Sequence, residues 1–208
     1  SAYDVALMTR ALLEHPKIFE YTGIWMDTIR NGTFGLSNTN RLIRFYKGAN
    51  GMKTGFTSEA MYCLSGTALR DGMQLIAVVL GSPTSNDRFE TAKKLLDYGF
   101  ANYQVVTPEP LQLEPVKVER GTAETVEVTY APATLLTEKG KSGVVTQEAH
   151  IDESVAAPIE PGTAVGYVSY VKDGAEVARA EVTTVSGVDQ IGYGTILKRL
   201  LGGIFSFF

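Results

Sequence analysis

A single cysteine, Cys63, among 208 residues leaves no partner for an internal disulfide and no basis for a Cys-rich zinc site. The two histidines, His15 and His150, are equally short of a metal cluster, and no metal-ligand spacing of His, Cys or carboxylate surrounds them. Excess charge is also scarce. A net charge of -4 is too mild, and of the wrong sign, for a general nucleic-acid binder. The opening Ser1-Ala2-Tyr3-Asp4 lacks a basic stretch followed by an apolar core, so no signal peptide is expected in this chain. It also lacks an initiator Met, and the expectation is a start partway through a longer product. What is present is 44% hydrophobic and 20% charged residues, enough for one or two buried cores and not a disordered composition.

Charge divides the sequence into three unlike parts: residues 1–106 sum to about +2, 107–186 to about -7 and 187–208 to about +1. In the first, Ser1 and Asp4 form an N-cap pair, and Tyr3, Leu7, Ala11 and Leu12 recur at helical spacing until His15-Pro16. Met61–Arg70 and Met73–Gly81 read as strands joined by a hairpin turn at Asp71-Gly72. From Ser85 the period changes, with Phe89, Ala92, Leu95, Leu96 and Phe100 on one helical face. Phe19, Tyr21 and Trp25 read as packing residues, Cys63 as a small buried hydrophobe and His15 as a helix C-terminal cap.

The acidic second part begins near Pro108, Pro110 and Pro115. It alternates apolar and polar residues at Val116–Glu119, Val126–Thr129 and Val165–Val171, with a second hairpin at Asp173-Gly174. This predicts a small all-β module. The third part places Ile196, Leu197, Leu200, Leu201, Ile204 and Phe205 on one side of a helix, with Lys198 and Arg199 opposite. The stretch is short and Gly202-Gly203 interrupt it, so an amphipathic membrane-surface anchor fits better than a bilayer span. The alternative is a helix docked on its own protein or on a partner.

Chemistry concentrates at Lys53-Thr54-Gly55, just before the first hairpin. The triplet alone is weak. Together with its flanks, ANGMKTGFTSEAMYCL over Ala49 to Leu64 and LSNTNRL over Leu36 to Leu42, it resembles the low-molecular-weight penicillin-binding proteins that act as serine-type D-alanyl-D-alanine carboxypeptidases. The resemblance runs over essentially the whole chain. It implies an α+β fold: the C-terminal part of a transpeptidase-like catalytic domain over 1–106, a sandwich-like β domain over 107–186, and an amphipathic anchor over 187–208.

The family joins three motifs in one cleft: S-x-x-K with the nucleophile, S-x-N, and K-T-G on a strand. Only the third is matched here, and the first two are expected upstream of Ser1 or on a separate chain carrying the N-terminal half. Ser169-Tyr170-Val171-Lys172 satisfies S-x-x-K literally, but on a strand rather than at a helix start. Ser37-Asn38 and Ser85-Asn86 are not S-x-N.

The resemblance gives Lys53, Thr54 and Gly55 catalytic roles. It makes the Phe56 backbone N–H an oxyanion donor, places Thr57 beside it, and offers Arg41 and Arg88 as carboxylate partners or, alternatively, structural arginines. Phe56 stands where many relatives have His, so any imidazole role is absent. The implied reaction trims the terminal D-alanine from peptidoglycan stem peptides through an acyl-enzyme, with β-lactams as further ligands and neither metal nor organic cofactor. The implied location is the extracytoplasmic side of the bacterial cytoplasmic membrane. Two other readings stay open: a β-lactamase-like hydrolase, and a non-catalytic wall-binding or scaffold protein.

Overall fold

A computed structural model describes residues 1–140 and 145–194, which separate into two units. The first comprises Ser1–Val105 and Leu136–Gly140. It opens with α1 (Ala2–Leu13), whose N-terminus is closed by the expected box: the Ser1 side chain accepts from the Asp4 N–H and the Asp4 carboxylate accepts in return. His15 is not the cap of this helix. Glu14 is, and His15 instead precedes a short 3-10 turn at Pro16–Ile18. After α2 (Phe19–Thr22) comes a hairpin, β1 (Met26–Ile29) and β2 (Phe34–Ser37), turning through Arg30, Asn31 and Gly32 at positive φ.

A one-turn helix α3 (Leu42–Phe45) leads into β3 (Ala49–Thr57), β4 (Met61–Arg70) and β5 (Met73–Ser82), an antiparallel sheet with β3 and β5 at its edges. The β4–β5 turn is made by Asp71 and Gly72, both at positive φ, as the Asp-Gly pair predicts. α4 (Ser85–Asn102) is capped by Thr84, whose hydroxyl accepts from the Asp87 N–H, and lays Phe89, Ala92, Leu96 and Phe100 on the sheet. Leu42 completes that core. It packs so closely over Gly66 that a Cβ there would lie 2.8 Å from Leu42 Cδ1, which seats α3 directly on β4.

β6 (Tyr103–Val106) follows α4. The second unit, Val106–Leu135 together with residues from 141 onward, contains β7 (Val116–Glu119), β8 (Thr125–Val126) and β9 (Val128–Thr129). The chain then returns to the first unit through β10 (Leu135–Glu138), which pairs with β6. β11 (Val145–Ile151), β12 (Ser154–Ala156), β13 (Ala164–Lys172) and β14 (Ala175–Thr184) complete the β unit. Its two sheets, β11-β13-β14-β9 and β12-β7-β8, share a core of Val116, Val118, Val126, Val165, Val168, Tyr170 and Val182.

The stretch expected as one strand, Val126–Thr129, is two. Val126 pairs with β7 while Val128 pairs with β14, so the chain changes sheets at Glu127. Residues 187–190, grouped with the tail by charge, bridge into this unit: Val188 exchanges two backbone hydrogen bonds with Ile159, and Gln190 bridges Gly121. The tail residues Ile196, Leu197, Leu200, Leu201, Ile204 and Phe205 lie outside the described residues. Among the described residues no helix is long and apolar enough to cross a membrane.

Candidate active site

β3 alternates as an edge strand should: Met52 and Thr54 are buried, Lys53 and Gly55 exposed. One long edge of β3 has no strand beside it among the described residues, so the backbone groups there that take no side-chain donor can meet an extended ligand. Gly55 faces Cys63 on β4, where an added Cβ would come only to 3.9 Å, an ordinary contact. Gly55 is therefore not required by crowding on the sheet side, and the close approach it permits is toward the open side of the strand.

Behind β3, the segment Asn38-Thr39-Asn40 is tied at both ends. Asn38 Oδ1 accepts from the Asn40 N–H at 2.9 Å, and its Nδ2 donates to the Ile24 carbonyl at 2.9 Å. Asn40, only 1% exposed, donates from Nδ2 to the Gly51 carbonyl at 2.8 Å and accepts from the Leu42 N–H. These Asx contacts hold Thr39 so that its hydroxyl meets that of Thr54 at 2.6 Å. In such a pair one hydroxyl donates to the other, and one O–H remains for an outside acceptor. Thr39 and Asn40 enter the sequence reading only within the LSNTNRL stretch, with no role of their own. The signal that marks them is the Asn-x-Asn spacing, which favours turns closed by side chains.

Thr39 and Arg41 line an open depression of about 570 Å3 together with Trp25, Ser37, Asn38, Phe45, Ser85 and Arg88. Its lining holds two arginines and no carboxylate, so it suits an anion. Trp25 is half-buried there, edge-on to Phe45 at 5.9 Å between ring centres, and Tyr21 is exposed. Trp25 thus packs, but outside the core, whereas Tyr21 departs from the packing role expected of it. Cys63 is also less buried than expected, its thiol donating to the Ala60 carbonyl at 3.1 Å.

Arg41 is exposed at the head of α3 and available to a ligand. Of the two roles the sequence leaves open for Arg88, carboxylate partner or structural arginine, its contacts favour the second. Arg88 is 6% exposed, and its Nη1 donates to the Gly55 carbonyl at 3.2 Å and the Cys63 carbonyl at 3.3 Å. Nη2 reaches Ser85 Oγ at 3.4 Å, and Nε is buried without a partner. Burial pushes this guanidinium below its ordinary pKa; Tyr62 and Cys63 oppose the shift and Arg41 adds to it. Arg88 is thus committed to bracing β3 against β4, with little donor capacity left for substrate.

Lys53 is not in the lining of this depression; its ammonium donates to the Thr54 carbonyl at 2.7 Å and has no carboxylate partner among the described residues. Phe56 is 60% exposed, its ring 4.5 Å from that of Tyr62. The Thr57 hydroxyl accepts from the Ala60 N–H at 2.9 Å and closes the β3–β4 turn, which places it away from the depression. Among the described residues no group of three or more His, Cys, Asp or Glu could hold a metal ion.

Comparison with known proteins assigns both units. The family model for D-alanyl-D-alanine carboxypeptidase matches residues 1–84, and that for the C-terminal domain of penicillin-binding protein 5 matches residues 103–190. The chain is 38% identical to D-alanyl-D-alanine carboxypeptidase DacF of Bacillus subtilis, over 97% of this chain and 54% of that protein. It is 32% identical to DacA of Haemophilus influenzae over 92% of this chain and 50% of that protein. It therefore spans about half the length of the curated relatives it matches.

Among solved structures, penicillin-binding protein 5 of Haemophilus influenzae superposes with a TM-score of 0.68 at 28% identity, over 86% of this chain and 53% of that one. Penicillin-binding protein 3 of Streptococcus pneumoniae gives 0.70 at 26%, over 91% and 57%. The chain belongs to the D-alanyl-D-alanine carboxypeptidase family of penicillin-binding proteins, with the peptidase match on the sheet that carries Lys53-Thr54-Gly55 and the penicillin-binding protein 5 C-terminal match on the β unit.

Proposed function

We propose that the first unit supplies the K-T-G side of a serine-type D-Ala-D-Ala carboxypeptidase cleft. The observation that carries this reading is the open edge of β3, bearing Lys53-Thr54-Gly55, beside an anion-suited depression. A stem peptide ending in D-Ala-D-Ala lies extended along β3, where Gly55 admits its backbone. Its terminal carboxylate takes the spare hydroxyl proton of the Thr39–Thr54 pair and the Arg41 guanidinium. Lys53 adds fixed positive charge next to the reacting groups.

The nucleophile comes from an S-x-x-K segment that these 208 residues do not place at a helix start. Its serine oxygen attacks the penultimate D-Ala carbonyl, with the Phe56 N–H and the nucleophile's own N–H receiving the oxyanion. The C–N bond breaks, the terminal D-Ala leaves with a proton, and water then hydrolyses the acyl ester. The same geometry takes the carboxylate and lactam carbonyl of a β-lactam. The substrate class puts the work on peptidoglycan, outside the cytoplasm, and the apolar residues within 195–208 hold the protein at the membrane surface.

The test is covalent labelling by a fluorescent penicillin in the protein extended upstream through an S-x-x-K segment. Lys53→Ala lowers the acylation rate by about 10²- to 10³-fold, the usual cost of losing one preorganised electrostatic donor, while the thermal midpoint is unchanged. Near-normal labelling of that variant overturns the assignment.

A further inference from the structure

A second cavity in the first unit, of about 450 Å3, shares no lining residue with the depression at Thr39 and Arg41. It is lined by the β4–β5 turn, the end of α4, β6 and the Leu136–Gly140 return, and three cations reach it: Lys47, Arg70 and Lys139. Arg70 is fixed on three sides. Its guanidinium carbon lies 4.4 Å from the ring centres of both Tyr46 and Phe100, and Nε donates to the Lys47 carbonyl at 2.9 Å. The nearest carboxylate oxygen, Asp97 Oδ1, is 4.0 Å from Nη1 and already accepts from the Tyr46 hydroxyl at 2.7 Å. Arg70 thus pairs with Asp97 and the Tyr46 hydroxyl, and its four Nη N–H groups exceed these two partners, which leaves donors for a further acceptor.

Lys139 donates one hydrogen bond, to the Phe100 carbonyl at 2.7 Å near the end of α4, leaving two N–H groups. Lys47 is exposed and has no partner among the described residues. A structural tie explains Nε of Arg70, and helix capping explains one bond of Lys139. Neither accounts for the convergence of three cations on one cavity whose lining carries a single carboxylate, Asp71.

We propose that this cavity binds an organic phosphate. The phosphate engages Arg70, Lys139 and Lys47, since a guanidinium with spare Nη donors beside two ammonium groups suits an oxyanion. The cavity is larger than a bare phosphate needs and falls within the roughly 300–1,000 Å3 of small-ligand sites. Met73 and Tyr103 supply an apolar wall for the organic part, and Gln104 brings a polar side chain to the lining for its hydroxyl groups. None of this depends on the reaction proposed for the β3 edge.

The 208-residue chain is titrated with glucose 1-phosphate, inorganic phosphate and glucose, followed by calorimetry and by the amide resonances of Asp71, Tyr103 and Gln104. The expected result is saturable one-to-one binding of glucose 1-phosphate, weaker binding of inorganic phosphate and no response to glucose. Lys47→Glu, at an exposed unpaired position, weakens binding about tenfold or more with an unchanged melting temperature, and Lys139→Gln gives a second reading. Displacement of the sugar phosphate by phosphatidylglycerol vesicles, but not phosphatidylcholine vesicles, assigns the site to an anionic lipid headgroup. Failure to displace assigns it to a soluble phosphate. Absence of saturable shifts, an equal response to glucose, or unchanged affinity in both variants overturns the proposal.

Discussion

Arg88→Met deletes a buried guanidinium while keeping most of its aliphatic bulk, and so isolates what the brace contributes. Two strand carbonyls, those of Gly55 and Cys63, lose their shared donor, as does Ser85 Oγ. Hydrogen bonds to a charged group contribute about 1.5–3 kcal/mol net. At 3.2 and 3.3 Å the two carbonyl bonds belong at the weak end of that range, together about 3 kcal/mol. Removing Nε, which is buried without a partner, returns about 1–2 kcal/mol. The bonds win, and the expected net loss is about 1–2 kcal/mol.

Trp25, the one tryptophan, lies in the first unit, so its fluorescence during urea unfolding follows that unit alone. With a slope of about 1.5 kcal/mol/M the midpoint falls by roughly 1 M. Hydrogen exchange at the Gly55 and Phe56 amides speeds up by more than that of the α4 core, because the brace acts at that end of β3. A variant as stable as the parent, with unchanged protection at Phe56, refutes the account of Arg88 as a strand brace.

Gly66→Ala drives a Cβ to within 2.8 Å of the fully buried Leu42. Overpacking of this kind costs about 1–3 kcal/mol, and an unchanged thermal midpoint refutes it. Tyr46 is pushed up to about 12 by burial first and by its hydrogen bond to Asp97 second. Its folded-state pKa thus exceeds the unfolded value, so its contribution is full below about pH 10 and disappears as pH rises toward 12. Ultraviolet titration shows a late-ionising tyrosine that Tyr46→Phe abolishes; an unaltered titration curve counts against the assignment. Truncation after Gly194 abolishes sedimentation with anionic vesicles while the β unit stays folded, whereas truncation before Val188 also unfolds it, since Val188 is buried and bonded to Ile159. Equal vesicle binding with and without residues 195–208 refutes the anchor.

The elements legible in the sequence are those whose signal is local. The Ser1–Asp4 box, the Asp71-Gly72 and Asp173-Gly174 turns and the face of α4, apart from Leu95 at 48% exposed, each require only neighbouring residues to agree. The β1–β2 hairpin is hard to see in the sequence although Asn31-Gly32 marks its turn, because all eight of its strand residues are exposed and show no buried alternation. β11 failed for a related reason: Thr146, Gln147, Glu148 and His150 give a polar run that is held as a strand by β13. At the site, the Lys53-Thr54-Gly55 strand was found through its flanks. The commitment of Arg88 to Gly55 and Cys63, and the reach of Thr39 to Thr54, are contacts across 33, 25 and 15 residues that no spacing rule encodes.

The β unit contains a grouping that imitates a nucleophilic centre, and its geometry shows why it is not one. Ser169 Oγ lies 3.4 Å from His150 Nε2, and Glu148 Oε2 lies 4.0 Å from that same nitrogen. In a working triad the serine and the acid engage opposite ring nitrogens, so that the acid fixes the tautomer which accepts the serine proton. One nitrogen facing both cannot do this. Ser169 is also 2% exposed within β13, its hydroxyl reaching the Glu148 carbonyl, so a substrate carbonyl cannot approach it. Lys172, three residues on, completes the S-x-x-K string in sequence alone, because Ser169 and Lys172 share a strand rather than successive turns of a helix. Acyl transfer therefore needs a serine from outside the β unit. What the described residues of the first unit show is a hydroxyl pair, an exposed arginine and a lysine bonded to the Thr54 carbonyl, set around an open strand edge.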